Sequence, residues 1–203
     1  MGLKGNEPKT GDISYWIDAV KVIDVDNISG TPAIEGWTAN DCALNVKYAR
    51  IFDSGPDEGQ FIDADEDPWS MFCMGNFRRN TQGKIEDWGG AFKVRTFLEA
   101  CGNSGTFTDD EGNLDEKIVN SCINKDTYKV SYRSTDMDSA GNNKIKTWSG
   151  RFFKTSVEAK KAWIKSTKTG WPKDYMGNAS NETMEGRGTE DVPVKTTQFP
   201  TDL

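Results

Sequence analysis

The chain divides into short runs in which apolar positions either alternate or recur with a helical period. Residues 13–25, ISYWIDAVKVIDV, are dense in β-branched and aromatic side chains and predict a long strand. Residues 42–52, CALNVKYARIF, put Leu44, Val46 and Tyr48 on one face and Asn45 and Lys47 on the other, as in a half-buried strand. WSMFCMGNF, 69–77, is apolar enough for a central strand. RRNTQGKIED reads as a loop. In WGGAFKVRTFLEACG, 88–102, Phe92, Phe97, Leu98 and Cys101 fall close to helical spacing, and Gly102 stands where a C-terminal capping glycine belongs. LDEKIVNSCIN, 114–124, predicts a short second helix.

Residues 127–134, TYKVSYRS, alternate strictly, with Tyr128, Val130 and Tyr132 against Lys129, Ser131 and Arg133. DMDSAGNN turns the chain and KIKTWSGRFFK returns it, a β-hairpin with a loop of about eight residues. Gly150 inside the return strand predicts a bulge, which decides whether Phe152 or Phe153 enters the core. SVEAKKAWIKSTK, 156–168, predicts a helix with Ser156 as N-cap. TGWPKDYMG reads as a hinge-like aromatic segment.

Three strands, a helical insert and a two-stranded hairpin are the layout of an OB-fold barrel. The expected class is mainly β (α+β): a five-stranded OB-fold-like barrel with a helical insert, a C-terminal helix and a disordered tail. Another small α+β domain fits the same order. Residues 1–11 are expected to be a flexible N-terminus, 12–176 the domain, and 177–203 a flexible acidic tail.

Composition narrows the chemistry. The chain has no histidine, which removes Ser-His-Asp and Cys-His catalysis. It has no phosphate-binding glycine motif, so a non-catalytic protein without cofactors is expected. Cys42, Cys73, Cys101 and Cys122 never form a C-x-x-C pair and are expected to be buried reduced thiols. Asp136, Asp138 and Gly141 match calcium-loop positions, but Thr147 replaces the closing Glu, which argues against calcium. No apolar run approaches the roughly 18 residues of a membrane span, and the start has no signal-type apolar core. A cytoplasmic protein is expected.

Charge is distributed unevenly. Residues 125–168 carry eleven bases and four acids, a net +7 in a chain of net −7. In the hairpin, Lys129, Arg133, Lys144, Lys146, Arg151 and Lys154 interleave with Trp148 and Phe152. A basic surface with aromatic platforms is what single-stranded nucleic acid requires, because phosphates seek cations and bases seek π-faces. The competing reading buries the Tyr128 face, leaves Lys129, Ser131 and Arg133 as a solvated outer face, and makes Trp148 either core or platform. The lysines of 160–168 read as a solvated helix face. Phe77, Arg78 and Arg79 at the mouth of the third strand, and Lys47 and Arg50 on the second, are further candidates for the groove.

The segments NVKYARIFDSGPDEGQFI, WSMFCMGNF, FKVRTFLEACG, LDEKIVNSCINKDTYKVSYRS and KIKTWSGRFF resemble small bacteriophage proteins of replication and recombination, OB-fold single-stranded DNA-binding proteins. The resemblance covers about residues 13–155 and rests on the Gly55-Pro56-Asp57-Glu58-Gly59 turn, the helix ending at Gly102, and the closing basic hairpin. It implies single-stranded DNA as partner, and replication or recombination proteins recruited through the C-terminal tail. The tail departs from that pattern, ending TTQFPTDL with neither a dense acidic run nor a terminal Phe. Homo-oligomerisation is left open. The rival reading is a phage structural or protein-interaction module that binds no nucleic acid.

Overall fold

A computed structural model describes residues 14–29, 41–62, 69–76, 78–87, 92–110 and 113–178. Its strands are β1 (Tyr15–Asn27), β2 (Asp41–Arg50), β3 (Trp69–Asn76), β4 (Arg78–Arg79), β5 (Ile85–Asp87), β6 (Asp126–Met137) and β7 (Asn143–Thr147). The helices are α1 (Phe92–Ala100), α2 (Glu116–Asn120) and α3 (Ser156–Thr167). The expected tail beyond Asn178 and the N-terminus before Ser14 lie outside the described residues.

The main sheet is antiparallel, in the order β3-β2-β1-β6-β7, and curls into a half-barrel. β1 is the long central strand and divides its pairing. Its first half, Tyr15 to Lys21, pairs with β6, and its second half, Val20 to Asn27, pairs with β2. Ile23 is an extra residue between Val22↔Tyr48 and Asp24↔Lys47. Such a bulge increases local twist and shifts which residues face inward. Val20, Val22 and Val25 therefore share one core despite their mixed parity.

Two cores lie on opposite faces of the sheet. The inner one joins Val20, Leu44, Val46, Tyr48 and Cys73 to Val94, Phe97 and Leu98 of α1 and Val119 of α2. The outer one joins Tyr15, Ile17, Val130 and Tyr132 to Ala159 and Trp163 of α3 and to Tyr175. Ala159 and Trp163 stand four residues apart, so one stripe of α3 meets the sheet. Trp163 is its centre, with rings of Tyr132 at 5.1 Å, Trp148 at 5.3 Å and Tyr175 at 5.0 Å.

Three expectations are corrected. RRNTQGKIED is not a plain loop: Arg78–Arg79 and Ile85–Asp87 pair as a small hairpin across a turn at Asn80–Gly83. The N-cap of α3 is Thr155, whose side chain accepts from the Glu158 amide at 3.1 Å, and Ser156 is the first helical residue. The 169–177 segment is no hinge: Tyr175 is buried and bridges Ser134, and the Thr135 amide donates to the Asp174 carbonyl. Gly102 has φ +92°, as the capping role requires. Cys73, Cys101 and Cys122 are free, buried thiols.

Removing the centre of the outer core should be costly. Trp163→Ala is expected to destabilise by about 3–5 kcal/mol in denaturant unfolding. Val157→Ala, exposed on the same helix, should change stability by about 0.5 kcal/mol or less.

Candidate nucleic-acid interface

The site is built where the hairpin's return strand breaks. The Trp148 amide donates to the Val130 carbonyl at 2.8 Å, and Phe153 and Tyr128 exchange bonds of 2.9 and 2.8 Å. Residues 149–152 thus bulge out opposite the single residue Lys129. Gly150 makes the turn with φ +65°, a conformation that disfavours side-chain-bearing residues. The bulge reverses the alternation that the sequence suggests. Phe152 turns inward, edge-on to Phe97 at 5.0 Å and Tyr48 at 5.5 Å. Arg151 turns the other way and lays its guanidinium over Phe92 at 4.5 Å and near Trp148 at 5.4 Å. Burial lowers the Arg151 pKa from its ordinary value, yet guanidinium stays charged throughout the neutral range.

This bulged lip, α1 and α3 enclose a groove of about 520 Å³. Thr96 and Glu99 line it from α1, on the helical face that Phe92 begins. Glu158, Lys161, Ala162 and Lys165 line it from α3, again at one-turn spacing. Arg151, Phe152, Phe153 and Lys154 form the lip. Glu99 is held by Arg95 at 2.8 Å, so Glu158 is the remaining acid facing four cations. No ion pair among the described residues engages Lys154, Lys161 or Lys165.

The sequence-predicted residues do not assemble on one strand face. Lys129 is fully buried, which overturns its placement on a solvated or DNA-facing surface. Inside the half-barrel both faces of β6 are covered, so alternation does not separate core from solvent here. Lys129 stands opposite Asp18 across the strand pair, 3.8 Å from the Phe152 ring centroid. Its Nζ donates to the Arg151 carbonyl at 2.7 Å and to the Trp148 carbonyl at 3.5 Å. Burial pulls its pKa down to about 7. Arg50 shares that interior, 3.9 Å from Asp18, and is likewise buried. Asp18 also accepts from Ser131 at 2.5 Å, and burial raises its pKa. Trp148 packs against Trp163 and Phe153, and Phe152 is core, so neither is an exposed platform.

The remaining predicted residues are dispersed. Lys47 is half-exposed and paired with Asp24 at 2.9 Å. Lys146 is held between Asp136 at 2.5 Å and Asp174 at 2.6 Å, and those bonds raise its pKa. Arg133 is half-buried and Lys144 exposed. Arg78 is exposed on β4, where Arg79 donates to the Gly83 carbonyl at 2.7 Å. Phe77 lies outside the described residues. Of the predicted residues that are described, Arg151, Phe152 and Lys154 line the groove. Sequence reasoning missed Phe92, Lys161 and Lys165 as site residues; the signal was that Phe92 falls off the Val94–Phe97–Leu98 face while Lys161 and Lys165 lie one turn apart. The turn at Asp138 folds on itself, accepting from the Ala140 and Asn142 amides at 2.9 Å each. No cluster of potential metal ligands occurs among the described residues, nor is any helix there long and apolar enough to cross a membrane.

No protein-family model matches the chain, and no curated protein is significantly similar to it.

Two measurements check this arrangement. Amine-reactive labelling of the native protein, read by mass spectrometry, should modify Lys154, Lys161 and Lys165 while sparing Lys129 until denaturant is added. Between about pH 7 and pH 10.5 the unfolded chain keeps the Lys129 proton that the folded chain has released. Stability from this group therefore rises with pH across that window. Relative to Lys129→Met, the wild-type melting temperature should climb from pH 7 to pH 10.

Proposed function

We propose that this protein is a non-catalytic single-stranded DNA-binding protein of the phage replication and recombination type, and that it holds the strand in the groove between α1 and α3. The observation that carries the reading is the convergence of Arg151, Lys154, Lys161 and Lys165 on one open groove, three of them in no ion pair with another described residue. Cations already held by carboxylates gain little from a phosphate, because binding must first break the existing pair. Free ones release condensed counterions from the nucleic acid. The exposed ring of Phe92, backed by the Arg151 guanidinium, offers a stacking surface beside them.

The sheet supports an OB-type assignment. In the order β3-β2-β1-β6-β7, a long first strand divides its pairing between two neighbours, and α1 and α2 lie between β3 and β6 in the chain. The groove lies between α1, which packs in the inner core, and α3, which packs in the outer one, and none of the helical residues that line it is an Arg, Asn or Gln of the duplex-reading kind, which favours single strands over duplex.

Fluorescence titration with an oligo-dT of about 30 nucleotides tests the reading. The wild-type protein should bind at low salt and weaken as salt rises. Lys161→Ala combined with Lys165→Ala should flatten the slope of log affinity against log salt by about 0.7 per lysine. Phe92→Ala should cost about 1–3 kcal/mol at every salt. Lys144→Ala should change affinity less than about twofold, because Lys144 does not line the groove. Absence of binding by the wild-type protein at low salt would reject the proposal in favour of a protein-interaction module.

A further inference from the structure

The lip of the groove is an irregular segment. The pairing with β6 passes from Trp148, opposite Val130, to Phe153, opposite Tyr128, and residues 149–152 loop out between them. Holding such a loop in one conformation requires contacts that offset its backbone entropy. The Arg151 carbonyl, and that of Trp148 where the chain leaves β6, point at one donor, the Lys129 ammonium, so that it spans the 148–152 bulge. The same ammonium sits 3.8 Å from the ring centroid of Phe152 and 5.3 Å from that of Tyr48. One buried cation thus touches three residues of the lip, and it reaches them from the protein interior.

We propose that Lys129 is a positioning residue for the groove: from inside the half-barrel it ties down the 148–152 bulge, and so sets where Arg151 and Lys154 meet a bound strand. The binding half of this statement rests on the groove being the nucleic-acid site; the ordering of the lip does not. Lys129 itself, with none of its surface exposed, makes no contact with the strand.

The surroundings make this anchor responsive to protons. The groups facing Lys129 are Asp18 on β1, Tyr48 and Arg50 on β2, Cys73 on β3 and the Arg151 carbonyl on the lip, with Lys93 of α1 acting on Cys73. Burial raises the Cys73 pKa to about 12 and raises that of Tyr48 further, so both stay neutral near pH 7. Lys129 is pulled down to about 7. Opening the lip would hydrate the amine and raise its proton affinity, so loss of the proton favours the closed lip, in which the amine still donates to the carbonyls. The chain has no histidine, the usual source of a transition near neutrality.

Amide hydrogen exchange and oligo-dT affinity, each followed from pH 6 to pH 8.5 in the wild-type protein and in Lys129→Met, test the proposal. Exchange is corrected for its intrinsic pH dependence. In the wild type, protection of Trp148 to Lys154 should rise with pH, while the β1–β2 amides from Lys21 to Val46 keep theirs. In Lys129→Met the lip should exchange faster at both ends of the range, without the pH step, and oligo-dT should bind about tenfold more weakly with a flat pH profile. The wild-type profile decides the matter even where the variant folds poorly. Unchanged lip exchange in the variant overturns the proposal, as does loosening shared equally by β1 and β2, which would make Lys129 an ordinary structural residue. Loss of lip protection without oligo-dT binding by either protein upholds the anchor and rejects the groove as the nucleic-acid site.

Discussion

Asp18 and Lys129 face each other across the β1–β6 pair inside the half-barrel, and the arrangement of the rest follows from having to bury them. A lone charge in that interior would be prohibitively costly, so each must be compensated within hydrogen-bonding or ion-pairing reach. Asp18 has the Ser131 hydroxyl and the Arg50 guanidinium. Lys129 has two backbone carbonyls and two aromatic faces. Those carbonyls become available because the chain leaves the sheet after Trp148, and Phe152 enters the core because the same bulge rotates it inward. The polar interior and the irregular lip are therefore one feature seen from two sides.

Much of the secondary structure was legible from local pattern. β-branched and aromatic density located β1, alternation located β2 and β6, and Gly102 located the end of α1. Gly150 announced the bulge, as a glycine inside a strand should. What local pattern could not supply was the environment of the second face. Tyr128, Val130 and Tyr132 alternate with Lys129, Ser131 and Arg133, and alternation normally means core against solvent. Here Thr127, Lys129 and Ser131 are as buried as the apolar set, because the sheet curls over one face and α3 covers the other. Period two reports that two faces exist; only tertiary packing decides whether one is wet.

The charge pattern was legible in quantity and not in disposition. The excess of bases over 125–168 is real, but Lys146 is neutralised by Asp174, 28 residues on, and Lys47 by Asp24, 23 residues back. Such partners are invisible to a count along the chain. Conversely, the lysines of α3 read as an ordinary solvated face because their setting is made by α1, far away in sequence. The groove exists only once Thr96 and Glu99 are brought beside Lys161 and Lys165, so no local motif could have announced it.

The divided pairing of β1 also bears on the order of assembly. β1, β2 and β3 form a meander whose neighbours follow one another in the chain, so they can meet by closing far shorter stretches of chain than the β1–β6 pairing spans. The β1–β6 half of the sheet joins residues such as Asp18 and Ser131, separated by 113 positions. Contacts of that span make a fold high in contact order, and closing them slows the search for the native state. During synthesis the meander emerges first, with a carboxylate on its inner face that already has Arg50 nearby but neither Ser131 nor Lys129. That face reaches its native polarity only when the last third of the domain docks, so completion of the sheet and neutralisation of its interior are a single late event.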